Sequence, residues 1–487
     1  MTLKKIIILF AISLMTSSLL MAQYAEDALR YSGYSLTGSS RFMGLSGAMG
    51  SIGGDITTIN YNPAGLGIYK TSEYVFAPRY MHNKTEASYN GSFSSDTRDN
   101  LNFGMIGLVS SIPLYNRVNP DAAAWKYIQF GFSINRIDNY RSDIFIDGNS
   151  FGGSRVFEWR DQARGNYPDY LNPFSTDLAW ETYLLDTING YSTDYIAAVP
   201  VGGVRQTYSS RSEGYKNEMA FAFSGNYNDR LFIGASLNFS FLDYYRIVTH
   251  TESALEMPQN GEFSSFTYRD ELSTNGTGFN AKIGMIYMIT PAIRINAAFH
   301  TPTWYYNMTD IYYTRIDSKM ADGNSYYKSS PSGRYDYKLY TPLRAMGGLS
   351  FFISNMGFIS IDYEYMDYSK SKLKAYDNSF AEENKNINND FQATHSLRVG
   401  GEWRVQSFML RGGYGFTTSP VDADINDMFH SQYSFGIGYR SGPMYIDFAF
   451  MHKQKSQNYY MYDAAYVNPA YIENRTNYFS ASIGFKF

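Results

Sequence analysis

The chain has 487 residues, a formal net charge of −4 and no cysteine. So small a charge gives no reason to expect a nucleic-acid partner, and without cysteine there is no lipoprotein anchor, disulfide framework or thiolate metal site. Aromatic residues reach 17%, with 46 Tyr and 34 Phe beside 41 Gly, while no apolar run approaches the roughly 18 residues that mark a transmembrane helix.

The chain opens on a leader. Lys4 and Lys5 precede an apolar core from Ile6 to Met21 that is broken by Ser13, Thr16, Ser17 and Ser18, and Ala22 offers a small residue for cleavage. That layout is a secretory signal peptide over residues 1–22, with the mature chain beginning at Gln23. The core is too short and too polar for a membrane anchor. Residues 23–69 follow with Gly44, Gly47, Gly50, Gly53 and Gly54, then Asn60-Tyr61-Asn62-Pro63-Ala64-Gly65-Leu66-Gly67. Such glycine content predicts turn-rich backbone making close approaches, not a lipid-facing strand. A nucleotide loop is excluded, because no strand precedes the glycines, no helix opens at them and no Lys-Ser/Thr ending follows.

From residue 70 to 487 the dominant period is two. Phe479, Ala481, Ile483, Phe485 and Phe487 share one face, and Tyr478, Ser480, Ser482, Gly484 and Lys486 the other. Leu231, Ile233, Ala235, Leu237 and Phe239 oppose Gly234, Ser236 and Asn238; Ile359, Ile361 and Tyr363 oppose Ser360, Asp362 and Glu364; Leu397, Val399 and Trp403 oppose Ser396, Arg398 and Glu402. Each is a strand with one apolar and one polar side.

Fourteen such strands are predicted, starting near Ser72, Leu101, Trp125, Asn217, Leu231, Gly276, Ala292, Tyr337, Met356, Gln392, Ser407, Gln432, Pro443 and Asn477. Short turns at Tyr227 to Arg230, Thr290-Pro291, Ser354-Asn355, Val405-Gln406 and Ser441-Gly442 alternate with long connections at 247–275, 307–336, 369–391, 417–431 and 453–476. Short periplasmic turns and long outer loops belong to a transmembrane barrel, whereas a soluble sandwich has no reason to alternate them. The expected fold is therefore all-β: a fourteen-stranded antiparallel transmembrane β-barrel in the outer membrane of a Gram-negative bacterium, contacting outer-membrane lipids and acting as a monomer. Residues 138–215 are expected to form a long extracellular excursion. Within it, Asp177 to Asn189 places Leu178, Leu184, Leu185 and Ile188 near helical spacing, predicting a short amphipathic helix whose apolar face either packs on the rim or first receives a ligand.

Alternation places Lys282, Arg294, Asp362, Glu364, Arg398, Glu402, Arg411, Arg440 and Asp447 in the lumen. Buried charges must be paired, so a polar network is their first role; contact of Arg398 or Arg411 with a ligand carboxylate is the second. Nothing favours catalysis or a cofactor. The six histidines are scattered without metal spacing, and no Gly-x-Ser-x-Gly elbow is present.

Gly44-Leu45-Ser46-Gly47-Ala48-Met49-Gly50, Gly53-Gly54-Asp55 and Asn62-Pro63-Ala64-Gly65-Leu66 resemble the N-terminal region of the FadL-type outer-membrane transporters for long-chain fatty acids and other hydrophobic compounds. Further similarity lies at His300-Thr301-Pro302-Thr303, Tyr340-Thr341-Pro342, Thr394 to Glu402, Leu410 to Tyr414 and Tyr439-Arg440. The long excursion and the high Tyr content depart from the family's pattern, and the chain as a whole is similar to members from Bacteroidetes-like bacteria. The resemblance implies a hatch over 23–69, with Asn62, Pro63, Ala64 and Gly65 as its gating motif, plugging a barrel over 70–487. It implies passive uptake of a hydrophobic small molecule captured outside, passed above the hatch and released through a lateral opening at a kinked third strand. Here that strand is Trp125 to Asp138, with Phe130 and Phe132 outward and Gly131 either permitting a kink or lying beneath lumen side chains. The terminal Phe487 resembles the signal read by the barrel assembly machinery. The competing readings are a nonspecific porin, a haem-binding receptor and a barrel-embedded hydrolase.

Overall fold

The computed structural model describes residues 21–114, 124–188, 190, 192–376, 378–422 and 425–487. The expected leader falls outside them except for its last two residues, which begin the first helix.

In chain order, α1 (Met21–Ser32), α2 (Ser40–Met43), α3 (Thr58–Tyr61) and a 3-10 turn over Pro63–Ile68 precede the wall. Then come β1 (Glu73–Tyr89), β2 (Ser92–Pro113), β3 (Trp125–Asn139) and β4 (Ser142–Ser150). An insertion follows with α4 (Arg155–Ala163), α5 (Thr176–Glu181), β5 (Leu185–Thr187) and β6 (Tyr195–Ala197). The wall resumes with β7 (Val204–Tyr227), β8 (Leu231–Ala254), β9 (Phe263–Thr290), β10 (Ile293–His300), β11 (Trp304–Met320), β12 (Ser325–Ser329), β13 (Gly333–Tyr340) and β14 (Arg344–Ile353). It ends with β15 (Gly357–Asp367), β16 (Lys372–Lys374), α6 (Ala381–Asp390), β17 (Ala393–Val405), β18 (Phe408–Thr417), β19 (His430–Ser441), β20 (Met444–Tyr459) and β21 (Ala470–Lys486).

These elements form a closed, fourteen-stranded antiparallel barrel. Closure is made by β21 returning to β1, from Glu73↔Lys486 to Ser88↔Tyr471, which leaves no sheet edge exposed. One wall position is shared by β10 and β11 and the next by β14 and β13, each pair interrupted at a proline, Pro302 or Pro342. A proline has no N–H to give to a ladder.

The alternation holds. Ser236, Asn238, Ser360, Asp362, Arg398, Glu402, Ser480 and Ser482 are buried inward, while Leu237, Phe239, Ile359, Ile361, Val399, Trp403, Phe479 and Ile483 are exposed on the outer face. Apolar side chains outside and polar ones inside are what lipid and a filled lumen select, and among the described residues no helix is long and apolar enough to cross a membrane. The short turns are tight: Asn228, Asp229, Ser354 and Gln406 all have positive φ, the backbone that two-residue hairpins require.

The outer ends differ from expectation. With 24 residues in β8 and 28 in β9, the strands far exceed the roughly 9 to 11 residues a bilayer needs. The connection expected over 247–275 shrinks to 255–262, and β11, β12 and β13 occupy most of 307–336. The excursion expected over 138–215 is likewise shorter. Pairing of β4 with β7, from Ser142↔Ser212 to Ser150↔Val204, prolongs the third wall position and leaves only 151–203 as insertion. Above the bilayer neither face meets lipid, so apolar alternation fades while backbone pairing continues. Inside the insertion the expected helix stops at Glu181, where Tyr183 turns left-handed, and Leu185–Thr187 pairs with β6 instead. Leu178, Leu184 and Leu185 are buried against Trp159 and Phe266, so that face packs on the rim.

Candidate functional site: the plugged lumen and the wall beside it

Residues 21–69 lie inside the barrel and span its cross-section. Hydrogen bonds tie the plug to the wall on every side. Ser40 Oγ donates to Ser480 Oγ (2.9 Å), Ser46 and Ser434 share a hydroxyl bond (2.8 Å), Gly50 N–H donates to Asp362 (2.7 Å) and Ser51 bonds Ser350. Arg294 reaches Ile52 O (3.2 Å), Asn60 donates to Glu218 (2.9 Å), Ser133 donates to Asn60 Oδ1 (2.9 Å) and Gln129 donates to Tyr69 O (2.9 Å). Between these bonds the plug rests against wall glycines. A methyl group at Gly284 would come within 1.9 Å of Asn62 Oδ1, and one at Gly234 within 2.4 Å of Pro63. Only glycine lets the two backbones approach so closely.

Asn62, Pro63, Ala64 and Gly65 sit at the bottom of this contact. Asn62 is extended (φ −139°, ψ 97°), as a residue before proline must be, and Pro63 opens the 3-10 turn with its fixed φ. The Asn62 amide fastens the motif at both ends, donating to Gly50 O (2.9 Å) and accepting from Ala64 N–H (3.2 Å). Ala64 packs on Phe232 and Ile286, and Gly65 bonds Gly54 through its carbonyl (3.0 Å).

Arg398 and Arg411 are both committed to the network. Arg398 donates to the Tyr61 hydroxyl (2.6 Å) and to Glu364 (2.7 Å), which also takes two bonds from Arg344. Arg411 bridges Glu402 (2.9 Å) and Asp447 (2.7 Å), and Arg41 of the plug reaches the same Glu402 oxygen (3.0 Å). Their charges are met by wall carboxylates before any ligand arrives, as the polar-network reading requires.

Above the glycine-rich part of the plug, α1 fills the upper lumen. Tyr31 donates to Thr274 (2.9 Å), Lys216 Nζ donates to Tyr31 O (3.0 Å), and the Arg30 guanidinium lies 4.9 Å from the Tyr244 ring centre. Burial raises the Asp27 carboxyl above its ordinary range, opposed by its ion pair with Arg30. Around the helix stand Tyr140, Leu242, Tyr244, Leu272, Tyr305 and Met308. A small cavity of about 40 Å³ lies beneath this helix, bordered by Tyr34, Ile137, Lys216, His300 and Arg344. The Arg344 guanidinium covers the Tyr34 ring at 3.9 Å.

In the third strand Phe130, Gly131 and Phe132 are fully laddered, to Ser110, Val109 and Leu108 on β2 and to Phe223, Ala222 and Phe221 on β7. Gly131 serves the plug, since a methyl group there would meet Ile59 at 2.7 Å. The irregularity lies above it. The β2–β3 ladder stops at Met105↔Asn135, β3 slips register against β7 between Arg136 and Asp138, and the strand breaks before Ser142. Along this unladdered stretch, among the described residues, the contacts run through side chains: Arg136 over the Phe103 ring (4.8 Å), Asn139 to Asn100 (2.9 Å), Arg98 to Asp143 (3.3 Å) and the Ser94 hydroxyl to the Phe145 carbonyl (2.5 Å).

Sequence reasoning missed Glu218, Arg344 and the plug's own Arg41. Glu218 pairs with Lys282 beneath Asn60, and Lys282 also donates to Asn60 O (3.1 Å). The parity of Phe221 and Phe223 would have turned Glu218 inward, and that of Gly348 and Ser350 would have done so for Arg344.

No family model matches the sequence, and no curated protein matches it. Among solved structures it is similar to a FadL homologue of Pseudomonas aeruginosa, at 13% identity over 93% of this chain and 99% of that one, with a TM-score of 0.57. The Pseudomonas putida toluene transporter TodX is similar at 10% identity over 93% and 98%, TM-score 0.54. The Ralstonia pickettii toluene transporter TbuX is similar at 12% identity over 93% and 99%, TM-score 0.52. The fold thus agrees over nearly the whole of both chains, and the protein has the fold of the FadL-type outer-membrane channels.

Proposed function

We propose that the chain is a passive outer-membrane channel for hydrophobic small molecules, fatty acids among them, in which the hatch gates the lumen and cargo leaves sideways between β2 and β3. The observation that carries this reading is the plug seated across the lumen beside an unladdered stretch of wall. A plugged lumen does not suit a nonspecific porin. Leaving apolar surroundings costs a hydrophobic molecule about 25 cal/mol per Å², so a route that opens past α1 along Tyr140, Leu242, Tyr244 and Tyr305, the side chains packed around that helix, and ends at the bilayer avoids that cost. Two of the similar structures are toluene transporters, which supports an apolar cargo.

Gating is assigned to Asn62 and Pro63, which hold the plug through Gly50 and Ala64. A switch needs a gap of only a few kcal/mol between its states, the size of a small set of hydrogen bonds. Replacing Asn62 and Pro63 together by Ala should raise ion leakage severalfold and alter uptake of a fluorescent fatty-acid analogue, in protein matched for folded surface level. Leakage and uptake per molecule that stay at wild-type values, with only folded yield reduced, would contradict gating.

A further inference from the structure

A second cavity lies at the outer mouth of the lumen, between α1, the rim and the insertion. The insertion 151–203 folds as a cap whose Val156, Trp159, Leu178 and Leu185 are buried against Phe263 and Phe266 of β9 and Ile316 of β11. Between cap and rim remains a cavity of about 560 Å³, well inside the roughly 300–1,000 Å³ range of small-molecule sites. Arg155 and Glu158 of α4 face it, with Asp270 of β9, Asp310 of β11 and Asp27 of α1.

Two of these acids are already neutralised, Asp27 by Arg30 and Asp270 by Arg246 at 3.6 Å. Arg155 is different. Among the described residues its guanidinium has no ion pair and no hydrogen bond; it is held over the rings of Tyr268 (4.1 Å) and Trp159 (5.4 Å), and its Nε is buried without an acceptor. Glu158, three residues on, accepts from Gln162 (2.9 Å) and lies beside the backbone N–H of Asp463. Opposite charges at this helical spacing ordinarily pair. Here they form no contact ion pair, and both residues line one cavity.

An apolar cargo would offer neither group a partner. A carboxylate would satisfy Arg155 but stand beside Glu158 and Asp310. A hydroxyl accepts from a guanidinium and donates to a carboxylate at once, and a molecule with many hydroxyls can serve Arg155, Glu158 and Asp310 together. Flat apolar surfaces for its C–H faces are at hand in Tyr268 and in the Phe174–Tyr312 pair, whose ring centres are 4.8 Å apart. We propose that the cavity under the cap is a binding site for a neutral saccharide, with Arg155 donating to and Glu158 accepting from its hydroxyls. The site goes beyond the channel reading and stands or falls on binding alone.

The test uses the full chain in an amine-oxide detergent, which carries no sugar. Tryptophan emission, to which Trp159 contributes, is followed while maltotriose, cellotriose, mannotriose and chitotriose are titrated, and laurate serves as competitor. At least one trisaccharide should bind saturably, Arg155→Met and Glu158→Gln should each weaken it about tenfold, and laurate should not displace it. Three results would overturn the proposal: no saturable binding in the panel, binding unchanged in both variants, or displacement by laurate that depends on Arg155. Should Arg155→Met fail to give heat-modifiable barrel, the near-isosteric Glu158→Gln carries the test by itself.

Discussion

Gly284 of β9 shows what the wall asks of a single residue. It faces Asn62 at the base of the plug, and a side chain there would strike Asn62 Oδ1. In Gly284→Val the asparagine must swing away and give up its bonds to Gly50 and Ala64, at about 0.5–1.5 kcal/mol each. The barrel should still assemble, because the outward neighbours Ile283 and Met285 are untouched, but ion leakage should rise. Gly347→Ala is the control, since the nearest atom to its added methyl group is 3.6 Å away; equal leakage in the two variants would contradict the close-approach account. Much at this scale was legible beforehand. Arg398, Arg411, Glu364, Glu402 and Asp447 follow from alternation, and their mutual pairing follows from the cost of burying charge. The glycine contacts were not legible, because which plug residue meets Gly284 depends on how a separate segment folds into the lumen.

Among the elements, the third strand is where two sequence readings part. Of the kink and the small residue beneath lumen side chains, Gly131 fits the second: it is laddered on both sides under Ile59, and the break comes at Ile137 to Arg141 without any glycine. A bulge is set by register against the partner strand, and β7 supplies that register through Asn217 and Lys216, more than seventy residues away in the chain. The outer halves of β8, β9 and β11 were hidden for a related reason: a strand that leaves the bilayer keeps its hydrogen bonds but loses the apolar face that betrays it. If the unladdered stretch is the outlet, closing it should stop delivery to the bilayer. Asn100 and Asn139 already touch across it, and a chain without cysteine allows Asn100→Cys with Asn139→Cys to be joined by a short bifunctional thiol reagent. Transfer of a fatty-acid probe should then fall severalfold, with leakage unchanged. Transfer unaffected by the bridge would place the outlet elsewhere.

On the scale of the whole molecule, a wide barrel is joined to a plug that its own wall holds. Strand number and closure were readable from alternation and tight turns, because lipid on one face and polar filling on the other impose a strict pattern. The inner path was less readable, since α1, the hatch and the cap are placed by contacts made only after the wall closes. On the proposed function, the arrangement pairs poor conduction of ions with good conduction of apolar molecules. Purified wild-type protein in planar bilayers and in liposomes of the same lipid tests that pair directly, by potassium chloride conductance in the one and transfer of a fluorescent fatty-acid analogue in the other. The account predicts conductance close to that of the protein-free membrane beside saturable, protein-dependent transfer of the analogue; large, steady conductance without accelerated transfer would contradict it.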